Sequence, residues 1–61
     1  MFCEHPECDE MRTHYNETKY TDKESGVKYR VVTDSCAKHV EWAMEKNDQV
    51  IRKKFSLGEV A

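Results

Sequence analysis

Two pairs of metal-binding side chains constrain this chain more than anything else in it. Cys3 and Cys8 form a C-x4-C pair near the start, and Cys36 and His39 form a C-x2-H pair well downstream. Together they use every cysteine of a 61-residue chain. An odd number of cysteines fits poorly with a disulfide framework and points instead to a metal site in a reducing compartment. Size presses the same way. Hydrophobic residues make up only 38% of the chain against 36% charged, and the core of a domain below about 70 to 80 residues rarely supplies more than ~3–5 kcal/mol. Such a chain also buries only roughly 60% of the surface its unfolded form exposes, which leaves a metal or a crosslink to hold the fold. Three tyrosines, two phenylalanines and a tryptophan, against one proline and two glycines, argue against a disordered segment.

Three thiolates and one imidazole make a closed tetrahedral set suited to one structural zinc ion. Cys36 and His39 lie one helical turn apart, so both side chains face one point, and a helix N-terminus favours the thiolate form of Cys36. His5 offers a second nitrogen near Cys3, but Pro6 restricts its backbone to extended shapes. His39 is preferred because it alone has a partner one turn away on a helix. The competing assignment is three buried cysteines acting as small hydrophobes. That would leave so small and polar a chain without a staple.

The rest of the pattern supplies the elements that bring the pairs together. Residues 1–10 show no regular period and contain Pro6, so they read as a tight loop. From Met11 to Tyr20 the residues alternate, with Met11, Thr13 and Tyr15 on one face and Arg12, His14 and Asn16 on the other. Asp22 to Gly26 is a polar turn whose glycine can take positive φ. Val27 to Thr33 alternates again, with Val27, Tyr29 and Val31 opposite Lys28 and Arg30. After Thr33 the period becomes helical, through Cys36, Ala37, Val40, Ala43, Met44, Val50, Ile51 and Phe55. Thr33, Asp34 and Ser35 are competent N-caps. Asp48 and Arg52 can pair four apart, Arg52, Lys53 and Lys54 suit the last turn, and Ser56-Leu57-Gly58 supplies the stop. The expected fold is a small metal-stabilised α+β domain over residues 1–55 with a tail at 56–61.

A cysteine knuckle, a β-hairpin and a helix whose first turn carries the second ligand pair resemble, in that order, the treble-clef zinc finger. The resemblance spans residues 3 to about 55, and it departs from the common C-x2-C knuckle in its wider C-x4-C spacing. It implies structural zinc held by Cys3, Cys8, Cys36 and His39. It also implies functions ranging over protein binding, nucleic-acid binding and, in some branches, nuclease chemistry.

Four protein ligands leave no open position for water at the metal, so the chain is expected not to be an enzyme. A nuclease branch would need a catalytic histidine near the hairpin, where His14 is the one candidate, and further ligands on the helix, which carries no other histidine after His39. A binding or adaptor role with a protein partner is the expectation. A helix from Ser35 to Phe55 would run ~30 Å, whereas a seven-residue strand covers ~23 Å. Val50, Ile51 and Phe55, with Leu57 and Val60, would then outrun the hairpin unless Tyr20, the hairpin tip or Phe2 folds over them. An uncovered end would suit a partner or a homodimer. Trp42 falls about 240° around the helix from Cys36, outside the apolar arc, where it either shields the metal or anchors a partner. The alternative partner is nucleic acid, bound by Lys28, Arg30 and the Arg52–Lys54 cluster. Against it, residues 1–25 carry a net charge of −4 while residues 26–61 carry +2. No basic stretch followed by an apolar one opens the chain and no run is long enough to span a membrane, so a cytoplasmic location is expected.

Overall fold

In the computed structural model, residues 1–57 are described, and Gly58 and Val60 of the expected stop and tail lie outside them. Two antiparallel strands, β1 (His14–Thr21) and β2 (Lys28–Ser35), form a hairpin, followed by a 3₁₀ turn (Ala37–His39) and the helix α1 (Val40–Phe55). The hairpin connection closes as its composition predicts. Asp22 accepts the backbone N–H of Gly26 at 2.8 Å, Gly26 sits at φ 72°, and the Asp22 carboxylate takes the Ser25 hydroxyl at 2.7 Å. At the far end of α1, Ser56 adopts the left-handed conformation (φ 54°), and the N–H of Leu57 reaches back to the Arg52 carbonyl at 2.9 Å.

Register decides which residues meet the helix. Asn16 lies opposite Thr33, Thr18 opposite Val31 and Tyr20 opposite Tyr29. Directly paired residues share a face, so these six form the inner face of the hairpin. The inner face of β1 is therefore the set containing Asn16, and Tyr15 points away from α1. The middle of this layer is polar. Asn47, fully buried in α1, donates from Nδ2 to the Asn16 carbonyl at 2.9 Å and to Thr18 Oγ1 at 3.3 Å, and its Oδ1 accepts from Thr33 Oγ1 at 2.5 Å. Asn16 in turn donates to the Thr33 carbonyl at 2.9 Å and to Ser35 Oγ at 2.8 Å. Among the described residues no buried side-chain nitrogen or oxygen lacks a hydrogen-bond partner. Ala43 and Ile51, each four residues from Asn47, flank it with apolar contacts.

Two expectations are corrected here. Thr33, Asp34 and Ser35 do not cap a helix but end β2, because their side chains are engaged by tertiary partners, Asn47 of α1, Arg12 before β1 and Asn16 of β1. The helix consequently starts at Val40, with no side-chain cap. Sixteen residues of helix span ~24 Å, and eight residues of strand span ~26 Å. The hairpin thus covers the whole helix. Ile51 is only 3% exposed, and Phe55 packs against Tyr20 (ring centroids 4.8 Å apart) and Tyr29 (5.7 Å). Of the distal residues assigned to a partner or a homodimer, Ile51 is buried and Phe55 is half-buried against the hairpin's tyrosines, Val50 and Leu57 are exposed, and Val60 lies outside the described residues. No described helix is long and apolar enough to cross a membrane.

Replacing Asn47 removes one amide and strands three polar groups. An unsatisfied buried group costs about 1–3 kcal/mol, so Asn47→Ala should lower the unfolding free energy of the metal-loaded protein by about 2–4 kcal/mol in urea titration. A loss below ~0.5 kcal/mol, typical of an exposed site, would show that the amide does not seat the helix.

Candidate metal centre

The first loop is built to present two sulfurs. His5-Pro6-Glu7-Cys8 is a turn closed by the Cys8 N–H on the His5 carbonyl at 3.0 Å, with proline at its second position, where a fixed φ favours turning. The flanks of the loop pair with each other, since Cys3 N–H reaches the Glu10 carbonyl at 2.9 Å and Arg12 N–H the Met1 carbonyl at 3.0 Å, around a Phe2–Met11 bridge. Alternation along this short ladder turns Phe2 and Cys3 to opposite sides. The loop is then fastened to β2. Glu4 N–H bonds the Asp34 carbonyl at 3.0 Å, the Glu4 carboxylate accepts the Asp34 N–H at 2.6 Å, and Arg12 pairs with Asp34 at 3.1 Å.

The second pair sits where β2 gives way to the 3₁₀ turn. Cys36 is extended (φ −84°, ψ 173°), and its carbonyl accepts the His39 N–H at 3.1 Å. Residues three apart in a 3₁₀ turn eclipse one another, so Cys36 and His39 stack on one side. A 3₁₀ turn, and not the first turn of an α-helix, provides the one-turn spacing.

The four groups converge. One ligand atom each from Cys3, Cys8, Cys36 and His39 lies within 4.8 Å of all the others. Cys8 Sγ is 3.8 Å from Cys36 Sγ, and His39 Nδ1 is 3.2 Å from Cys36 Sγ and 3.6 Å from Cys3 Sγ. A metal bonded tetrahedrally to sulfur at about 2.3 Å has ligand–ligand edges of ~3.8 Å, so the quartet has the dimensions to hold one ion. All three cysteines are free thiols, and Cys3 and Cys36 are buried. Among the described residues this is the one cluster of at least three such groups suited to a metal ion.

His5 takes a different place. Its Nδ1 accepts the Glu7 N–H at 3.1 Å, and its ring stacks on His39 at 4.0 Å, 13° from parallel. Trp42 meets the edge of His5 at 4.9 Å, and Lys46 Nζ lies 5.1 Å from the Trp42 ring centre. His5 therefore lies between His39 and Trp42, stacked on the first and meeting the half-buried second at its edge. His14 is exposed and bonded to Thr13 Oγ1 at 2.8 Å, remote from the quartet in its contacts.

The thiols do not share one acidity. Burial pushes Cys3 up, but the backbone N–H groups of His5 and Cys36 and the neighbouring thiols outweigh it and leave Cys3 below its ordinary value. For Cys8, the Glu10 N–H pulls down, while burial and the Cys3 and Cys36 sulfurs prevail and push it up to about 11. The two shifts run in opposite directions, so Cys3 gives up its proton more readily than Cys8.

Sequence reasoning finds the quartet but misses the His39–His5–Trp42 column and the Glu4 and Arg12 fastening to Asp34. Adjacent aromatic residues would have hinted at the column. The fastening has no local signature, because its partners are some thirty and twenty-two residues apart. Comparison with known protein families, with curated proteins and with solved structures gives no match, so the site's own chemistry carries the functional argument.

Because Cys8 holds its proton up to about pH 11 without metal, binding must expel that proton throughout the neutral range. Apparent zinc affinity should rise by at least about tenfold per pH unit between roughly pH 6 and 8, measured by competition with a chelator. An affinity independent of pH in that window would contradict the thiolate set.

Proposed function

We propose that this chain is a structural-zinc module of treble-clef arrangement that acts by binding a larger macromolecule and performs no catalysis itself. The observation that carries the proposal is the convergence of Cys3, Cys8, Cys36 and His39 within one tetrahedron's dimensions. Three sulfurs and one nitrogen in that geometry suit zinc, whose d-shell imposes no competing preference. The ordering of the knuckle, the hairpin and the turn carrying Cys36 and His39 supports the treble-clef comparison, with the Pro6 turn accommodating the wider C-x4-C spacing.

A non-catalytic role is supported by the ligand count, since four protein atoms fill a tetrahedral ion and leave no place for a reacting water. His14, the one histidine of the hairpin, is exposed, and its ring nitrogen is engaged by Thr13 Oγ1 at 2.8 Å. A structural role is supported by the energetics of a domain whose buried hydrophobic residues are Cys3, Cys36, Ala43 and Ile51. Zinc binding by such sets supplies roughly 10–16 kcal/mol in small zinc-finger peptides, well above what so few apolar groups provide.

The test is native mass spectrometry paired with circular dichroism. The wild type should carry one zinc per chain, chelation should abolish the helical signal, and Cys36→Ser should neither hold zinc nor fold. A metal-free wild type with full helicity and unchanged melting would refute the proposal.

A further inference from the structure

The fold separates charge along its length. Residues 17–32 and 48–54, which form the hairpin's far end and the end of α1, hold seven basic and four acidic side chains, a net +3. The remaining described residues, around the metal site, hold three basic and seven acidic side chains, a net −4. Two of the three cations at the end of α1 are engaged in the fold. Arg52 pairs with Asp48 at 2.8 Å, and Lys54 Nζ lies 4.9 Å from the Tyr29 ring centre. The cations of the hairpin's outer face are differently placed.

On that face Lys19 stands directly opposite Arg30 and Thr21 directly opposite Lys28. These four residues, with Tyr20 and Tyr29, line a hollow of about 410 Å³. Like charges directly opposed across a strand pair repel. Glu17 reaches Lys19 at 3.6 Å and Arg30 at 3.4 Å, so two cations share one carboxylate, and Lys28 has no ion-pair partner among the described residues. Such an arrangement is relieved by a second anion. On the same face, two register positions beyond Glu17 from the basic pair, Tyr15 is 58% exposed with no ring partner among the described residues. Tyr15 lies four residues along β1 from Lys19, ~13 Å at strand rise. A row of cations with an exposed aromatic ring on one flat face is the chemistry that tracks a phosphodiester backbone and stacks an unpaired base.

From this juxtaposition we infer that the outer face of the hairpin binds single-stranded nucleic acid, with phosphates at Lys19, Lys28 and Arg30 and a base on Tyr15. The inference rests on the reading of the chain as a binding module and names its partner class.

The experiment uses zinc-loaded protein, verified for metal content and helicity, and follows the anisotropy of a short fluorescein-labelled oligo-uridylate against salt. Binding should weaken steeply with salt, and Lys28→Ala should lower the slope of log affinity against log salt by about 0.7. Tyr15→Ala should weaken binding by roughly 5- to 150-fold while leaving that slope unchanged. Glu17→Gln, which frees Lys19 and Arg30, should tighten binding. Absence of binding by folded, zinc-loaded protein would overturn the inference and leave the structural-zinc reading standing. Equal binding of inorganic polyphosphate with no effect of Tyr15→Ala would also overturn it, in favour of a general anion surface, as would preference for the matched duplex.

Discussion

Three sulfur atoms and an imidazole nitrogen within 4.8 Å of one another set the terms for everything else in this molecule. Two unit charges 4 Å apart repel by about 1 kcal/mol in water and about 4 kcal/mol at an effective dielectric constant of 20, so three thiolates cannot be held together by packing of this quality alone. A divalent cation held by the quartet would reverse the sign of the interaction. Such an ion would also join the two ends of the hairpin, because Cys3 and Cys8 precede β1 and Cys36 and His39 follow β2. The quartet and the hairpin are therefore linked, since the register of β1 against β2 brings the two ligand pairs together and an ion on them would close the loop that the register opens.

Away from the metal the helix is seated by an amide. Asn47 occupies the position between Ala43 and Ile51 where an apolar residue would ordinarily complete the stripe. Its hydrogen bonds to Asn16, Thr18 and Thr33 fix the helix on both strands at once. Apolar packing tolerates sliding, whereas a fully satisfied buried amide has one register. In a domain with so few buried apolar side chains, that directionality supplies the uniqueness that a larger core would supply elsewhere. Tyr20, Tyr29 and Phe55 then close the end far from the metal.

The parts of this architecture that were legible in the sequence are those with a local chemical reason. Cysteine and histidine spacing, the alternation of the strands and the glycine of the turn each follow from the requirements of one short segment. Thr33, Asp34 and Ser35 misled because the same short polar side chains that cap helices also make cross-sheet bonds, and only their tertiary partners decide between the two. That shift shortened the helix and lengthened the strand, which changed Ile51 and Phe55 from candidate contact surface to covered core. Asn47 was illegible for a related reason. A polar residue within an amphipathic stripe looks like a gap until its partners on two other elements are known.

The account stands or falls on the identity of the atoms around the ion, and X-ray absorption at the zinc edge measures those atoms directly. It predicts three sulfurs at about 2.3 Å and one nitrogen at about 2.0–2.1 Å, with the nitrogen signal lost in His39→Ala and kept in His5→Ala. A shell of oxygen atoms, or a nitrogen contribution that survives removal of His39 and disappears with His5, would contradict it.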